Sequence, residues 1–456
     1  MALLDPVKNI VILMMENRSF DHMLGYLSVG PGGRADVDGL NGTQAWLDGH
    51  ANLDHGSAVT PFHSTNPYTM PASFDPPHER PNVAANLGGL NDPPYPMNGF
   101  VGSIPDKVST DPAVRMLTMS YFGNQEVPIN DFFASNFLIC DRWFSSLPAG
   151  TQPNRLMAMG GQSMIDLNCN VLPTQDLVYD WLTRQGVSWR VYHQGIPFFT
   201  MMPKWIPDIL GSDKFRSFDD LEDDLMNNPP EDLPQVFFIE PTYGDAPHIG
   251  PSTDDHAPAG VADGQEFLMQ AYNAVISNNR FWRGCVFVVD YDEHGGFFDH
   301  VSPPKQVTTA PVGASYPDFR SLGVRTPGYV ISPFVKNGTV SRATLDHTSV
   351  LKLIGEKFGP DSSYSEPVDS REVESLSAVL SFDAPINVPP APPSVLPYLA
   401  LRTAPPTLTQ PPQTTPLTQG FASAVDQLRA GGAGPDHPKF GDLITQMNAA
   451  AAGGAT

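Results

Sequence analysis

Residues 285 to 304 read CVFVVDYDEHGGFFDHVSPP. Asp290, Asp292, Glu293, His294, Asp299 and His300 crowd the stretch that follows its apolar start. Two glycines there let the backbone turn tightly or approach a ligand. A merely solvated loop seldom combines acidic pairs, histidines and phenylalanines. Asp292 and Glu293 end an apolar run, where oxygen ligands suit a hard cation. His294 beside them is a candidate substrate contact, and Asp299 and His300 read as supports.

A second loaded stretch is ENRSFDHMLGYL, residues 16 to 27. Glu16 and Asn17 both offer oxygen ligands just after an apolar run. The ordinary alternative is a helix cap by Asn17, with Glu16 favouring the helix dipole. The third is PAGTQPNRLMAMGG, residues 148 to 161. Thr151 follows small and breaker residues and precedes a helix. A hydroxyl at a helix start lies among backbone N–H groups that hold phosphate oxygens. A neighbouring cation lowers its pKa further and makes it a nucleophile. Arg155 is close enough in sequence to meet a phosphate oxygen. An ordinary cap is the competing role for Thr151. His78, His193, His256 and His347 each follow or precede an element and are candidates for proton transfer or phosphate contact.

The elements that must position these groups are legible as apolar runs. Ile10–Met15, Trp189–His193, Val236–Ile239, Val286–Tyr291 and Tyr329–Ser332 have the unbroken character of strands covered on both faces. Helical spacing appears over Gln265–Ser277 and Ser349–Phe358. Strands alternating with helices predict an α/β fold with a central, mostly parallel sheet flanked by helices. Ligands in such sheets collect at the carboxyl ends of the strands. Glu16, Glu240 and Asp292 fall at three of these ends.

Residues 30 to 115 are rich in Gly, Pro, Asn and Asp and read as long loop excursions over the strand ends. Residues 384 to 419 are dense in proline and predict a strap or linker. A short helix is expected over Phe421–Arg429, then a Gly/Ala-rich tail. The division is therefore a catalytic domain over 1–383 and a strap with a short helical tail over 384–456.

Composition narrows the partners. The 456-residue chain has a formal net charge of −23, so a nucleic acid would be repelled. A zwitterionic lipid or a small phosphate ester is compatible. Three widely spaced cysteines define neither a disulfide framework nor a zinc motif, and Cys285 reads as a core residue. Ile10–Met15 is too short to span a bilayer, and no export signal is visible. The expected location is soluble: cytoplasmic, or secreted with a leader absent from this sequence.

Taken together, ENRSFDHMLG at 16–25, TQPNR at 151–155, DEHGGFFDHV at 292–301 and GVRTPGYVISP at 323–333 resemble the phosphoesterase family of bacterial phospholipases C, plant non-specific phospholipases C and certain acid phosphatases. DPPH at 75–78, MNGF at 97–100, DDHAP at 254–258 and DHTS at 346–349 are lesser matches. The resemblance implies an alkaline phosphatase-like fold and Thr151 as the nucleophile. It implies that Glu16, Asn17, Thr151, Asp292 and Glu293 surround a metal. His78, His193 and His256 would line the phosphate pocket, with His347 a weaker candidate. The proline-rich end departs from the longer C-terminal domains of the haemolytic members.

The expected activity is phosphatidylcholine-type phospholipase C chemistry through a phosphothreonine, with His256 and His78 catalytic and Arg155 meeting the phosphoryl charge. Acid phosphatase action on monoesters is the alternative, and a silent lipid- or phosphate-binding protein the least favoured. Oxygen ligands favour calcium or magnesium, with zinc third. Contact with a membrane surface would be transient.

Overall fold

The computed structural model describes residues 4–383, 385–386, 388–395, 407–411 and 413–453. Eight strands form the central sheet: β1 (Asn9–Met15), β2 (Leu138–Cys140), β3 (Trp189–His193), β4 (Phe215–Ser217), β5 (Val236–Glu240), β6 (Cys285–Tyr291), β7 (Gly328–Ile331) and β8 (Thr339–Ser341). Their order is β8-β2-β7-β6-β1-β5-β3-β4. The run from β6 through β4 is parallel. β7 runs antiparallel to both β6 and β2. The mostly parallel α/β sheet expected from the apolar runs is the one that forms.

Every residue of β1 and β6 is buried, which explains why both read as unbroken apolar runs rather than alternating ones. Register pairs Met15 with Tyr291 and Glu240 with His193. The residues after β1, β5 and β6 therefore emerge side by side at one edge.

Six helices matter here: α1 (Phe20–Leu24), α2 (Thr151–Gly160), α3 (Ala262–Ser277), α4 (Thr348–Phe358), α5 (Pro416–Ala430) and α6 (Gly441–Gly453). Ser19, not Asn17, caps α1, its hydroxyl accepting from the His22 backbone N–H at 3.1 Å. α5 is longer than the expected short helix, because Thr415 caps it and Pro416 occupies its first turn. The expected Gly/Ala tail holds α6, as its alanines are strong helix formers. The strap expected over 384–419 lies in part outside the described residues, at 384, 387, 396–406 and 412.

Leu417, Phe421 and Val425 of α5 share one continuous core with β1 and β6. The 30–115 excursion builds a smaller core of its own, in which Val83, Leu87 and Phe100 meet Phe298. Phe74, Phe100 and Phe122 are fully buried core residues. Among the described residues, no helix is long and apolar enough to cross a membrane.

Candidate active site

The strand ends deliver the acidic groups and α2 delivers the hydroxyl. Before α2 the chain turns sharply, and Asn154 staples that turn. Its side chain accepts from the Leu147 N–H at 2.9 Å and donates to the Ala149 carbonyl at 2.8 Å. Gly150 precedes the helix as N-cap residue, and Thr151 is its first residue. A Cβ on Gly150 would stand 3.4 Å from the His78 carbonyl and from Glu79, so the hydroxyl arrives beside the DPPH loop.

Four residues on, Arg155 shares the face of α2 that carries Thr151. Its guanidinium is fully buried. Nε donates to Glu16 Oε1 at 3.1 Å, and Nη2 lies 3.0 Å from the same oxygen. Asp292 Oδ2 lies 3.6 Å from Nε, and Nη1 donates to the Tyr243 hydroxyl at 3.0 Å. Arg155 thus binds α2 to the ends of β1 and β6, rather than pointing a free guanidinium at a substrate.

Asn17 adopts the left-handed region at φ 62°, a conformation asparagine tolerates better than most side chains. Its N–H donates to Asp292 Oδ1 at 3.0 Å, and Glu293 N–H donates to the same oxygen at 2.7 Å. Gly295 makes this crossing sterically feasible: at φ 61°, a Cβ there would collide with the Asn17 carbonyl. His78 Nε2 lies 3.4 Å from Asn17 Nδ2 and 3.9 Å from Glu293 Oε1.

Asn17 Oδ1, Thr151 Oγ1, Asp292 Oδ2 and Glu293 Oε1 are all buried without a hydrogen-bond partner. Buried polar atoms are nearly always paired. Four orphaned oxygens, at the ends of β1 and β6 and at the start of α2, are of the kind a hard cation takes as ligands. Asp75, His78 and His256 form a neighbouring cluster of donor atoms, and so do Glu16, Asp254 and His256.

His256 Nδ1 lies 3.2 Å from Glu16 Oε2 and 3.0 Å from Asp245 Oδ2, while Nε2 lies 3.3 Å from Asp75 Oδ1. Burial opposes the imidazolium, but Asp245, Asp75 and Glu16 outweigh it and hold the pKa well above the ordinary histidine range. For His78, burial is likewise outweighed by Glu293 and Asp75, and the pKa is pushed up to about 9. Burial would raise Glu16, but Arg155 and His256 hold it below the usual carboxylate range. Burial and the charge of Glu16 push Asp292 well above that range, and Arg155 offsets this only in part.

The other histidines turn elsewhere. His193 is at a strand end as expected, but Nδ1 meets the Gly195 carbonyl at 2.7 Å and its ring stacks on Phe440. His347 Nε2 donates to the Tyr291 carbonyl at 3.0 Å. His294 faces Asn86 at 3.2 Å and Glu293 at 3.2 Å, behind the carboxylate rather than before it. Asp299 and His300 join Asp21 and Arg325 in a separate buried network, with Arg325 Nε donating to Asp299 at 2.9 Å and His300 Nδ1 2.7 Å from Asp21.

Sequence reasoning did not single out Asp75, Tyr243, Asp245 or Asp254. Asp75 and Asp254 stood inside the quoted DPPH and DDHAP motifs, beside the histidines they serve. Tyr243 and Asp245 closely follow β5, where the strand-end rule already pointed. A cavity of about 400 Å³ opens beside this group, and Asp75, Asp245 and His256 line it with Tyr68 and Met70.

A buried hydroxyl at a helix start and orphaned oxygens at the ends of parallel strands are groups that a phosphoester hydrolase uses. The chain belongs to the phosphoesterase family, whose model matches residues 7–360. It is 31% identical over 387 residues to non-specific phospholipase C1 of Arabidopsis thaliana, covering 79% of this chain and 68% of that one. It is 30% identical to phospholipase C A of Mycobacterium tuberculosis, over 84% and 79% of the two chains. Among solved structures, it is similar to an alkaline phosphatase superfamily protein from Vibrio parahaemolyticus at a TM-score of 0.31 and 9% identity, over 84% of this chain and 94% of that one.

Proposed function

We propose that this enzyme is a phospholipase C that cleaves phosphatidylcholine-type diesters through a phosphothreonine at Thr151. The observation that carries the reading is the Thr151 hydroxyl, buried and without a hydrogen-bond partner at the first residue of α2. The Thr151 backbone N–H at the start of α2 can receive one phosphoryl oxygen; Gln152 N–H is already donated to Asn168 Oδ1 at 2.8 Å, and Pro153 has none. Glu16, Asn17, Thr151, Asp292 and Glu293 would hold a divalent cation, calcium or magnesium before zinc. Such an ion, when bound, lowers the pKa of the hydroxyl and neutralises phosphoryl charge.

The Thr151 oxygen, its proton lost to solvent beforehand, bonds to phosphorus as the bond to the glycerol oxygen breaks. His256, kept protonated by three carboxylates, gives its proton to that oxygen and diacylglycerol leaves. Neutral His256 then takes a proton from water, which attacks phosphorus, frees the threonine and releases the phosphorylated head group. His78, cationic at neutral pH, meets phosphoryl charge from the side of Asn17 and Glu293. Arg155 fixes Glu16 and Asp292. His193, His294 and His347 support the surrounding structure in this reading.

Phosphatidylcholine and p-nitrophenyl phosphate, assayed side by side, test the substrate class. Faster turnover of the diester is expected, and turnover of the monoester alone would establish the phosphatase alternative. Mass spectrometry of acid-quenched protein is expected to find phosphocholine on the peptide containing Thr151. Its attachment to another residue would refute the nucleophile assignment.

A further inference from the structure

The later part of the proline-rich stretch returns to the mouth of the site. Leu408–Thr409 pairs antiparallel with His248–Ile249, placing Thr409 opposite His248. Gly250 N–H donates to the Thr407 carbonyl at 3.0 Å, and the Thr409 hydroxyl donates to the Gly250 carbonyl at 3.3 Å. A few residues later α5 anchors the segment through buried Leu417, Phe421, Val425 and Leu428. The Phe421 ring lies 5.5 Å from that of Tyr243, whose hydroxyl accepts from Arg155. The segment is therefore tied both to the rim and to the residue that organises the carboxylates.

This segment supplies Thr409, Gln410 and Gln413 to the walls of the cavity of about 400 Å³ that His256 also lines. We propose that Gln410 and Gln413 determine which leaving alcohol the enzyme accepts. The inference rests on the phospholipase reading above. His256 protonates the leaving oxygen there, so the alcohol departs toward the cavity that His256 lines. A diacylglycerol carries two ester carbonyls close to that oxygen, and each is a hydrogen-bond acceptor. Glutamine carboxamides supply matching donors. The apolar lining contributed by Tyr68, Met70 and Pro258 suits the adjoining methylenes. The volume is that of a small-molecule site. It accommodates the glycerol and ester region and leaves the acyl chain ends outside.

The test compares two diesters that share phosphocholine and differ in the leaving group: a short-chain phosphatidylcholine and p-nitrophenyl phosphorylcholine. Gln410 is exposed and Gln413 half-buried, so the double variant Gln410→Ala/Gln413→Ala keeps the fold, which unchanged thermal unfolding verifies. We expect kcat/KM to fall about fivefold for phosphatidylcholine and to change less than about twofold for the nitrophenyl ester. An equal change on both substrates, or none on either, would overturn the proposal. A wild-type enzyme that hydrolyses p-nitrophenyl phosphate but neither choline ester would sink the phospholipase reading instead. The wall is then judged on p-nitrophenyl phosphate against glycerol 1-phosphate: a selective loss on the glycerol ester upholds it, and equal loss or none defeats it. A wild-type protein inactive on every ester defeats both.

Discussion

Arg155 Nε donates to Glu16 Oε1 across 3.1 Å, joining the helix that begins at Thr151 to the strand that ends at Met15. Asp292 lies on the same guanidinium at 3.6 Å. One buried cation therefore sets the position of the helix that carries Thr151 against two strand ends.

Removing Thr151 tests the chemistry without disturbing this frame. The Thr151→Ala variant is expected to lose at least about a thousandfold in kcat. Its thermal unfolding should match wild type closely, since the hydroxyl makes no hydrogen bond that is lost. Near-normal turnover would exclude Thr151 as nucleophile.

Removing Arg155 tests the frame. Arg155→Met leaves Asp292 buried without its counter-ion and Glu16 with His256 as its remaining ion-pair partner. Breaking a buried pair in this way costs about 3–5 kcal/mol. Calcium or magnesium is expected to restore part of that stability by supplying the missing positive charge. Melting curves in chelator and in each cation would show it, and an unchanged melting temperature in chelator would contradict the assigned role.

Chelation of the wild-type enzyme is expected to abolish turnover, with recovery on adding calcium or magnesium. The orphaned oxygens of Asn17, Thr151, Asp292 and Glu293 give the reason. Full activity after exhaustive chelation, with no metal found by elemental analysis, would dismiss the cation site.

Gly295 and Gly313 both have positive φ, at 61° and 85°. A Cβ on Gly295 would strike the Asn17 carbonyl, whereas one on Gly313 would meet nothing. Gly313→Ala should cost about 1 kcal/mol, the conformational penalty alone. Gly295→Ala should cost clearly more and also lower activity, because Asn17 must shift. Equal effects in denaturant titrations and assays would count against the close packing.

Burial lowers the His193 pKa from the ordinary value of 6.5 to about 4, with the Gly195 carbonyl opposing the shift and Lys439 adding to it. Asp220 also faces the ring and raises the value slightly. The unfolded chain binds this proton first, so acid favours unfolding. The contribution is complete above about pH 6.5 and is lost progressively toward pH 4, reaching about 3 kcal/mol. His193→Gln should flatten the stability profile in that window. Parallel profiles for the two proteins would show that His193 does not drive the acid dependence.

Much of the frame was legible from local patterns. The runs at Ile10–Met15 and Val286–Tyr291 mark central strands, and the strand-end rule places Glu16 and Asp292 at one edge. Local order also put Thr151 at a helix start, since the breakers before it and the helix formers after it act over a few residues. Those features depend on the pattern of neighbouring side chains, which the sequence states directly. The partners of Arg155 do not: Glu16 is 139 positions away in the chain, and the motif around Arg155 suited a phosphate as well as a carboxylate. His193 and His256 looked alike as histidines near elements, yet packing turned one toward Phe440 and gave the other three carboxylates. The return of residues 407–411 and 413–430 to the mouth of the site likewise followed from burying Phe421 and Val425 in the central core. Sequence determined which elements exist and which groups stand at their ends. Tertiary packing decided which of those groups meet, because side-chain burial couples positions that no local pattern connects.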